Sequence, residues 1–179
     1  GASGHEDKVA RTERHGRNHA RAMKLELLVV GRTTDKRIVS LIDEYVDRVK
    51  HYITLEIKVI PELKSTKSLS EEQQKEQEGA LILQSIQSGD YVVLLDEHGK
   101  ELRSVELATW MQGRMNSGLR RVVFVVGGPY GFAPAVYQRA DDKLSLSRLT
   151  FSHQMIRLVF AEQVYRAMTI LRGEPYHHE

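Results

Sequence analysis

Glycine and hydroxyl-bearing residues, whose types and spacing suit ligand chemistry, cluster in two short segments of the last third of the chain. The first, Gly-Gly-Pro-Tyr-Gly at 127–131, comes directly after the apolar run 121–126. The second, Ser-Arg-Leu-Thr-Phe-Ser at 147–152, follows a shorter apolar run. Because glycine lets a backbone approach a ligand closely, the first segment fits either a structural turn or a ligand contact.

The glycine segment lacks the pattern of a phosphate cradle. It is not Gly-x-Gly-x-x-Gly, and no Lys-Ser or Lys-Thr pair follows as in a P-loop, so the sequence disfavours a dinucleotide or a nucleoside triphosphate. An apolar pocket that is rich in main-chain groups and poor in charge instead suits an adenosine-like ligand. We therefore expect 127–131 and 147–152 to lie together around such a ligand.

Arg157 occupies the apolar face of a long helical pattern near the end of the chain, beside Val164 and Met168. A guanidinium in that place needs a partner. A structural salt bridge or a snorkelling side chain would explain it, and so would a cation held for a phosphate or an acidic ligand group. His153 shares this face one turn earlier, although a single histidine is more often a helix-start or core residue than a catalyst.

The sequence ends in Tyr-His-His-Glu at 176–179, directly after Pro175. A frayed terminus is one interpretation. We expect no metal here, because adjacent histidines face different ways and three or four convergent ligands are not apparent. One aromatic ring and two imidazoles do suit the stacking of a base and the exchange of a proton near neutral pH.

Hydrophobic periodicity predicts the elements that position these residues. We expect strands at 23–30, 55–60, 91–95, 121–126 and 144–146, with helices around 38–49 and over 70–88, 104–115, 134–140 and 152–172. Ser70 with Gln73 predicts a capping box and Ser104 a helix cap. The alternation predicts an α/β domain with a mostly parallel sheet flanked by helices, in which ligands bind at the carboxyl ends of strands. The loops 95–99, 127–131 and 147–153 would meet at that edge, with 96–99 as a polar turn.

The last helix is apolar around most of its circumference, which leaves a narrow polar strip with Glu162, Arg166 and Thr169. A helix of this kind is buried on two sides. We expect it to contact both its own sheet and a second subunit.

Composition bounds the class of protein. With 179 residues, 41% apolar and 28% charged, the chain predicts one globular domain, and no apolar run is long enough to span a membrane. The lack of cysteine fits a reducing cytosol, so we expect a cytoplasmic protein.

Residues 1–22 carry five Lys and Arg against three Asp and Glu, which accounts for the whole net charge of +2. We expect them to be a disordered leader, added upstream or by cloning, and 23–179 to be the single domain; an RNA-binding basic arm is the alternative.

Five motifs in order resemble the ribosomal large-subunit pseudouridine N3-methyltransferases (RlmH) of the SPOUT superfamily. They are Gly127-Gly128-Pro129-Tyr130-Gly131, Leu144-Ser145-Leu146-Ser147, Thr150 to Arg157, Glu162 to Ala167, and Pro175-Tyr176-His177-His178. The resemblance covers Met23 to Glu179. It implies a C-terminal trefoil knot, a homodimer, S-adenosylmethionine as methyl donor without a metal, and transfer to N3 of a pseudouridine in the helix 69 loop of 23S rRNA within the assembled ribosome.

The resemblance also implies residue roles. Candidate donor-binding residues are Leu95, Gly127, Gly128, Gly131, Ser147, Arg148, Leu149, Thr150, Phe151 and Ser152. Our catalytic hypothesis places the tail of one subunit over the donor site of the other, where His177 or His178 accepts the N3 proton while Arg157 and Tyr176 hold the nucleotide. The alternative is a ribosome-binding or RNA-binding assembly factor that has the same fold and no turnover.

Overall fold

The computed structural model describes residues 22–178, so the leader predicted at 1–22 lies outside the described residues apart from Ala22. Strands and helices alternate along the described chain, as predicted. Their bounds are β1 Lys24–Val30, α1 Lys36–Val49, β2 Thr54–Ile60, α2 Glu71–Gln84, β3 Tyr91–Glu101, α3 Ser104–Asn116, β4 Arg121–Val126, α4 Pro134–Arg139, β5 Asp142–Ser145 and α5 Met155–Leu171.

The five strands form one sheet in the order β2-β1-β4-β3-β5, and every pairing is parallel. The central strands β1, β4 and β3 are apolar on both faces because helices cover each side, as expected for a parallel sheet. Their carboxyl ends therefore lie along one edge, which confirms the predicted α/β class.

Successive side chains of each strand point to opposite faces of the sheet and pack in two apolar cores. Leu27 and Phe124 point to a core completed by α1, α3 and α5, whereas Leu28 and Val125 point to a core completed by α2 and α4. The sheet is thus the middle of three layers, and α5 packs against both α1 and α3. The prediction that α5 contacts its own sheet is confirmed, since Phe124 and Phe160 stack with ring centroids 4.8 Å apart.

The predicted polar turn at 96–99 is wrong, because β3 continues through it to Glu101. Its pairing with β5 shifts register between Leu95 and Lys100, which marks a bulge. A Cβ on Gly99 would come within 2.8 Å of the Leu144 backbone, so only glycine lets the two strands approach this closely.

Several element ends differ from their predicted positions. The capping box at Ser70 and Gln73 is confirmed, but α2 ends at Gln84 because the Ser85 hydroxyl donates back to the Leu81 carbonyl at 3.1 Å. Helix α3 is capped one residue before Ser104, where Glu106 accepts from the Arg103 amide at 2.9 Å. Strand β5 begins two residues early, and α5 begins three residues late.

The amino edge of the sheet carries a buried ion-pair network, which we call the amino-edge network and define as Glu26, Asp90 and Arg121. The Arg121 Nε lies 2.9 Å from Asp90 Oδ1, and its Nη1 lies 3.3 Å from Glu26 Oε1. Burial would raise the pKa of Asp90, but the hydrogen bonds from Arg121 and the Gln87 amide lower it. Burial raises the pKa of Glu26 in spite of Arg121. These three side chains hold the starts of β1, β3 and β4 together.

Candidate functional site

A cavity of about 250 Å³ opens over the β3 bulge and the carboxyl ends of β4 and β5, and we call it the β3-side cavity. The glycine turn 127–131, the segment 145–151 and the start of α5 form its walls. Its position follows from the topology, because parallel strands present their carboxyl ends at one edge.

The β3-side cavity gathers eight of the ten residues predicted to bind a donor. They are Leu95, Gly127, Gly128, Gly131, Ser147, Leu149, Thr150 and Phe151. Arg148 and Ser152 do not line it. The Arg148 side chain is exposed, with its Nε 2.6 Å from Glu101 Oε1. The Ser152 hydroxyl accepts from the Met155 amide at 3.1 Å, so it positions the start of α5.

Several polar residues of the lining were not among the predicted site residues, and two of them, Asp96 and Tyr137, are bonded to each other. The Tyr137 hydroxyl donates to Asp96 Oδ2 at 2.6 Å, which ties α4 to the β3 bulge across the cavity. Burial and this hydrogen bond raise the pKa of Tyr137 to about 12. Asp96 does fall in the loop 95–99 predicted to face the site. Tyr137 gave no signal, because it lies in a short helix that no sequence motif linked to the site.

A backbone hydrogen bond closes the glycine turn. Gly131 has a φ of 81°, which favours glycine, and its amide donates to the Gly128 carbonyl at 3.2 Å. A Cβ on Gly127 would come within 3.1 Å of the Phe132 ring. The turn therefore presents main-chain groups rather than side chains to the cavity.

A second cavity of about 290 Å³ lies on the other side of the glycine turn, over the carboxyl ends of β1, β2 and β4. We call it the β1-side cavity. The residues 126–129 and His153 line both cavities, so the turn is the wall between them. Glu78 and Arg157 are buried in the lining of the β1-side cavity, with relative exposures of 7% and 1%.

Arg157 obtains its partners from the loop that follows β1. Its Nη1 donates to the Thr33 hydroxyl and its Nη2 to the Val30 carbonyl, both at 2.9 Å. Burial lowers the pKa of Arg157, which Glu62 partly opposes. Gln154 binds the same loop, accepting from the Thr34 amide at 2.8 Å. The start of α5 is thereby fixed to the end of β1.

The predicted tail residues lie elsewhere in the single chain, on the surface formed by α1 and α5. The Tyr176 hydroxyl donates to Glu162 Oε1 at 3.0 Å and lies 3.4 Å from the Tyr45 hydroxyl. His177 Nδ1 lies 3.1 Å from Arg166 Nη1. Burial, reinforced by these hydrogen bonds, raises the pKa of Tyr176. Within one chain the linings of the two cavities do not include Tyr176, His177 or His178.

Residues 22–178 contain no group of three or more His, Cys, Asp or Glu side chains placed to hold a metal ion. Over the same range, no helix combines the length and the apolar character needed to cross a bilayer.

The fold and the site define an α/β protein with two cavities at the carboxyl edge of a parallel sheet, separated by a glycine turn. The sequence model of the family described as "Predicted SPOUT methyltransferase" matches residues 23–177. The chain belongs to the SPOUT methyltransferase family, in agreement with the resemblance of its motifs.

Within that family, the chain is similar to several proteins that carry the same name. The chain is 62% identical to the ribosomal RNA large subunit methyltransferase H of Phocaeicola vulgatus, over 88% of this chain and 100% of the relative. It is 61% identical to the protein of that name from Bacteroides thetaiotaomicron and 55% to that from Porphyromonas gingivalis, with the same coverage.

Among solved structures, the tRNA (m1G37) methyltransferase from Aquifex aeolicus is similar at 15% identity and a TM-score of 0.49, covering 87% of this chain and 75% of that one. A likeness this weak carries no argument about function.

Proposed function

We propose that the chain is an S-adenosylmethionine-dependent methyltransferase of large-subunit ribosomal RNA, and that its β3-side cavity holds the methyl donor. The observation that carries the proposal is the meeting of the glycine turn, Leu95 and the segment 147–151 around one cavity. Relatives that are 55–62% identical, and that this chain matches over their whole length, are named as rRNA methyltransferases.

The lining of the β3-side cavity fits the donor in its chemistry. Leu95, Phe151 and Ile156 offer apolar surface for an adenine ring, and the glycine turn offers main-chain groups for its polar edge. Asp96 and Thr150 offer oxygens for ribose hydroxyls and for the donor's amino group. S-adenosylmethionine supplies, when bound, a methyl group on a sulfonium that an attacking nitrogen can accept.

We further propose N3 of a pseudouridine in the helix 69 loop of 23S rRNA as the acceptor, as the family resemblance implies. The N3–CH₃ bond forms as the S–CH₃ bond of the donor breaks, and its electron pair stays on the sulfur of the departing S-adenosylhomocysteine. The N3–H bond also breaks, so a base must take up one proton. An imidazole with a pKa near neutrality suits that task, and His177 and His178 are the candidates. Holding the base in line contributes most, since well-oriented reactants gain about 7–11 kcal/mol.

The site is completed in this proposal by a homodimer, in which the tail of one subunit closes over the β3-side cavity of the other. Two features support it. The tail residues 176–178 lie away from both cavities of their own chain. Helix α5 also leaves apolar side chains at the surface, including Met155 at 41% exposure and the half-buried Leu158 and Val159. The knot implied by the family resemblance is part of the same proposal.

The assembled ribosome, in the cytoplasm, is the proposed substrate. From Met23 onward the chain carries 21 Lys and Arg against 21 Asp and Glu. A neutral body gives little of the phosphate-driven affinity that free RNA would need, so a shaped ribosomal surface is the better match.

The proposal is tested by incubating the protein with labelled S-adenosylmethionine and ribosomes that lack native methylation, and then mapping the labelled nucleotide. We expect label on one pseudouridine of the large-subunit rRNA. Binding to ribosomes without any transfer of label would support the assembly-factor alternative and overturn the proposal.

The tail has its own test. A variant truncated after Gly173 should lose methyl transfer, because the proposed proton acceptors are gone. It should still bind the donor, because the lining of the β3-side cavity contains no tail residue. Transfer at the wild-type rate would remove Tyr176, His177 and His178 from the mechanism.

A further inference from the structure

We propose that Glu78 is a positioning residue of the donor site, acting through Gly128. Its carboxylate lines the β1-side cavity and packs directly against Gly128, whose other side lines the β3-side cavity. In this proposal the carboxylate accepts a hydrogen bond from the Gly128 amide and so fixes the turn. The inference rests on the proposed donor-binding role of the β3-side cavity, and it adds a residue that touches the turn but does not line that cavity.

The local sequence explains how an acidic side chain reaches this place. Glu78 is followed by Gly79 in the middle of α2, where a Cβ would come within 3.0 Å of the Ala133 Cβ and 3.2 Å of Val136. Glycine at that position lets α2 pack closely on α4, at a cost in helix stability of about 1 kcal/mol. The close packing brings the carboxylate of Glu78 beneath the glycine turn, where only 7% of the residue is exposed.

Gly128 shows the other half of the arrangement. A Cβ on this residue would overlap the Glu78 carboxylate, with Cδ only 2.8 Å away. The φ of Gly128 lies outside the left-handed region, so its backbone conformation alone does not demand glycine. Because the obstacle is Glu78 itself, the space that the carboxylate occupies explains why position 128 lacks a side chain.

The charge of Glu78 suits a positioning role better than a packing role. A buried carboxylate loses solvation, which an apolar side chain of equal size would not. In exchange, a carboxylate accepts a stronger hydrogen bond from an amide than a neutral acceptor does. Residues 126–129 line both cavities, so a shift of Gly128 on one side changes the surface on the other.

Calorimetric titration with S-adenosylmethionine tests the proposal on the full chain. Relative to wild type, Glu78→Ala should weaken donor affinity about 10- to 100-fold, the range expected for a hydrogen bond to a charged group. Glu78→Gln should stay within about threefold, because an amide oxygen can still accept from Gly128. Glu76→Ala, an exposed change on the same helix, is the matched control and should leave affinity unaltered.

A double-mutant cycle separates positioning from general stabilisation. Gly128→Ala alone should weaken donor binding strongly, whereas Gly128→Ala added to Glu78→Ala should cost much less, because the overlapping carboxylate is gone. In methyl transfer, Glu78→Ala should raise the KM for the donor and leave the KM for ribosomes unchanged. Equal effects of Gly128→Ala in both backgrounds, or donor affinity of Glu78→Ala equal to that of wild type, would overturn the inference.

Hydrogen exchange keeps this inference distinguishable from the proposed function. Without any donor, the Gly128 amide should exchange faster in Glu78→Ala than in wild type, while amides of the β4 strand keep their protection. Unchanged exchange at Gly128 would refute the positioning role even if the wild type binds the donor. If the wild-type protein gives no heat with the donor, the proposed function is refuted instead. The exchange result would still show whether Glu78 holds the Gly128 amide.

Discussion

Buried charges lie at both edges of the sheet, but they find different kinds of partner. At the amino edge, Glu26 and Asp90 pair with the side chain of Arg121. At the carboxyl edge, Glu78 packs against the backbone of Gly128, and Arg157 donates to the Val30 carbonyl and a hydroxyl. Side chains that pair with one another join whole strands, whereas a charge bonded to the backbone fixes the conformation of a loop. We therefore expect the amino edge to determine stability and the carboxyl edge to determine ligand affinity.

The largest effect on stability should come from Arg121→Met. The change leaves Asp90 and Glu26 buried without their cation, which typically costs about 3–5 kcal/mol. Urea denaturation should show this loss, while the protein that remains folded binds the donor as wild type does. Arg120→Met, an exposed neighbouring change, is the control. A weakened donor affinity with unchanged stability would reverse the assignment of the two edges.

Arg157→Met should combine a smaller stability loss with a functional one. The methionine keeps an apolar stem but leaves the Val30 carbonyl and the Thr33 hydroxyl without their donor, at a cost of about 1–3 kcal/mol. Turnover on ribosomes should fall at least about tenfold if the loop after β1 contributes to nucleotide placement. If ribosome binding and turnover both stay intact, Arg157 is a structural residue only.

Glu78→Gln should change how stability depends on pH. Burial raises the pKa of Glu78, so the native state binds this proton more tightly than the unfolded chain does. Wild-type stability therefore falls as pH rises from the ordinary carboxyl pKa through the raised native value, whereas the glutamine does not titrate. In urea denaturation, the unfolding free energy of Glu78→Gln should therefore rise relative to that of wild type as the pH increases through this range. If the unfolding free energy of the variant instead fell relative to that of wild type as the pH rose, the carboxylate would be stabilised by its surroundings.

Tyr137→Phe should have the smallest effect. It removes the hydrogen bond to Asp96 across the mouth of the β3-side cavity, and Tyr137 is 40% exposed. We expect donor affinity to fall about threefold and stability to change by less than about 1 kcal/mol. A loss as large as that of Glu78→Ala would place the main constraint on the site at α4 rather than at the glycine turn.

The sequence predicted what depends on local pattern. Apolar periodicity placed the strands, and the rule for parallel sheets then brought Leu95, the glycine turn and 147–151 to one edge, where they line one cavity. The strand β3 was predicted too short because its polar end is held by β5 and by the close approach at Gly99, which no local pattern records.

Charged residues of the site were harder to predict. Glu78 lies in the highly charged half of α2 and looks like a solvated residue, and its burial depends on Gly79 packing against α4. The partners of Arg157 come from a loop more than 120 residues away in sequence. The role of the tail depends on a second copy of the chain, so it stays a prediction.

The most direct test of the donor site is hydrogen exchange of the wild-type protein with and without S-adenosylmethionine. We expect the donor to slow the exchange of backbone amides at 95–99, 127–131 and 147–152. The amides of the amino-edge network of Glu26, Asp90 and Arg121 should exchange as they do without the donor. Protection confined to Glu62, Thr66 and Gln74, which line the β1-side cavity alone, or no protection at all, would contradict this expectation.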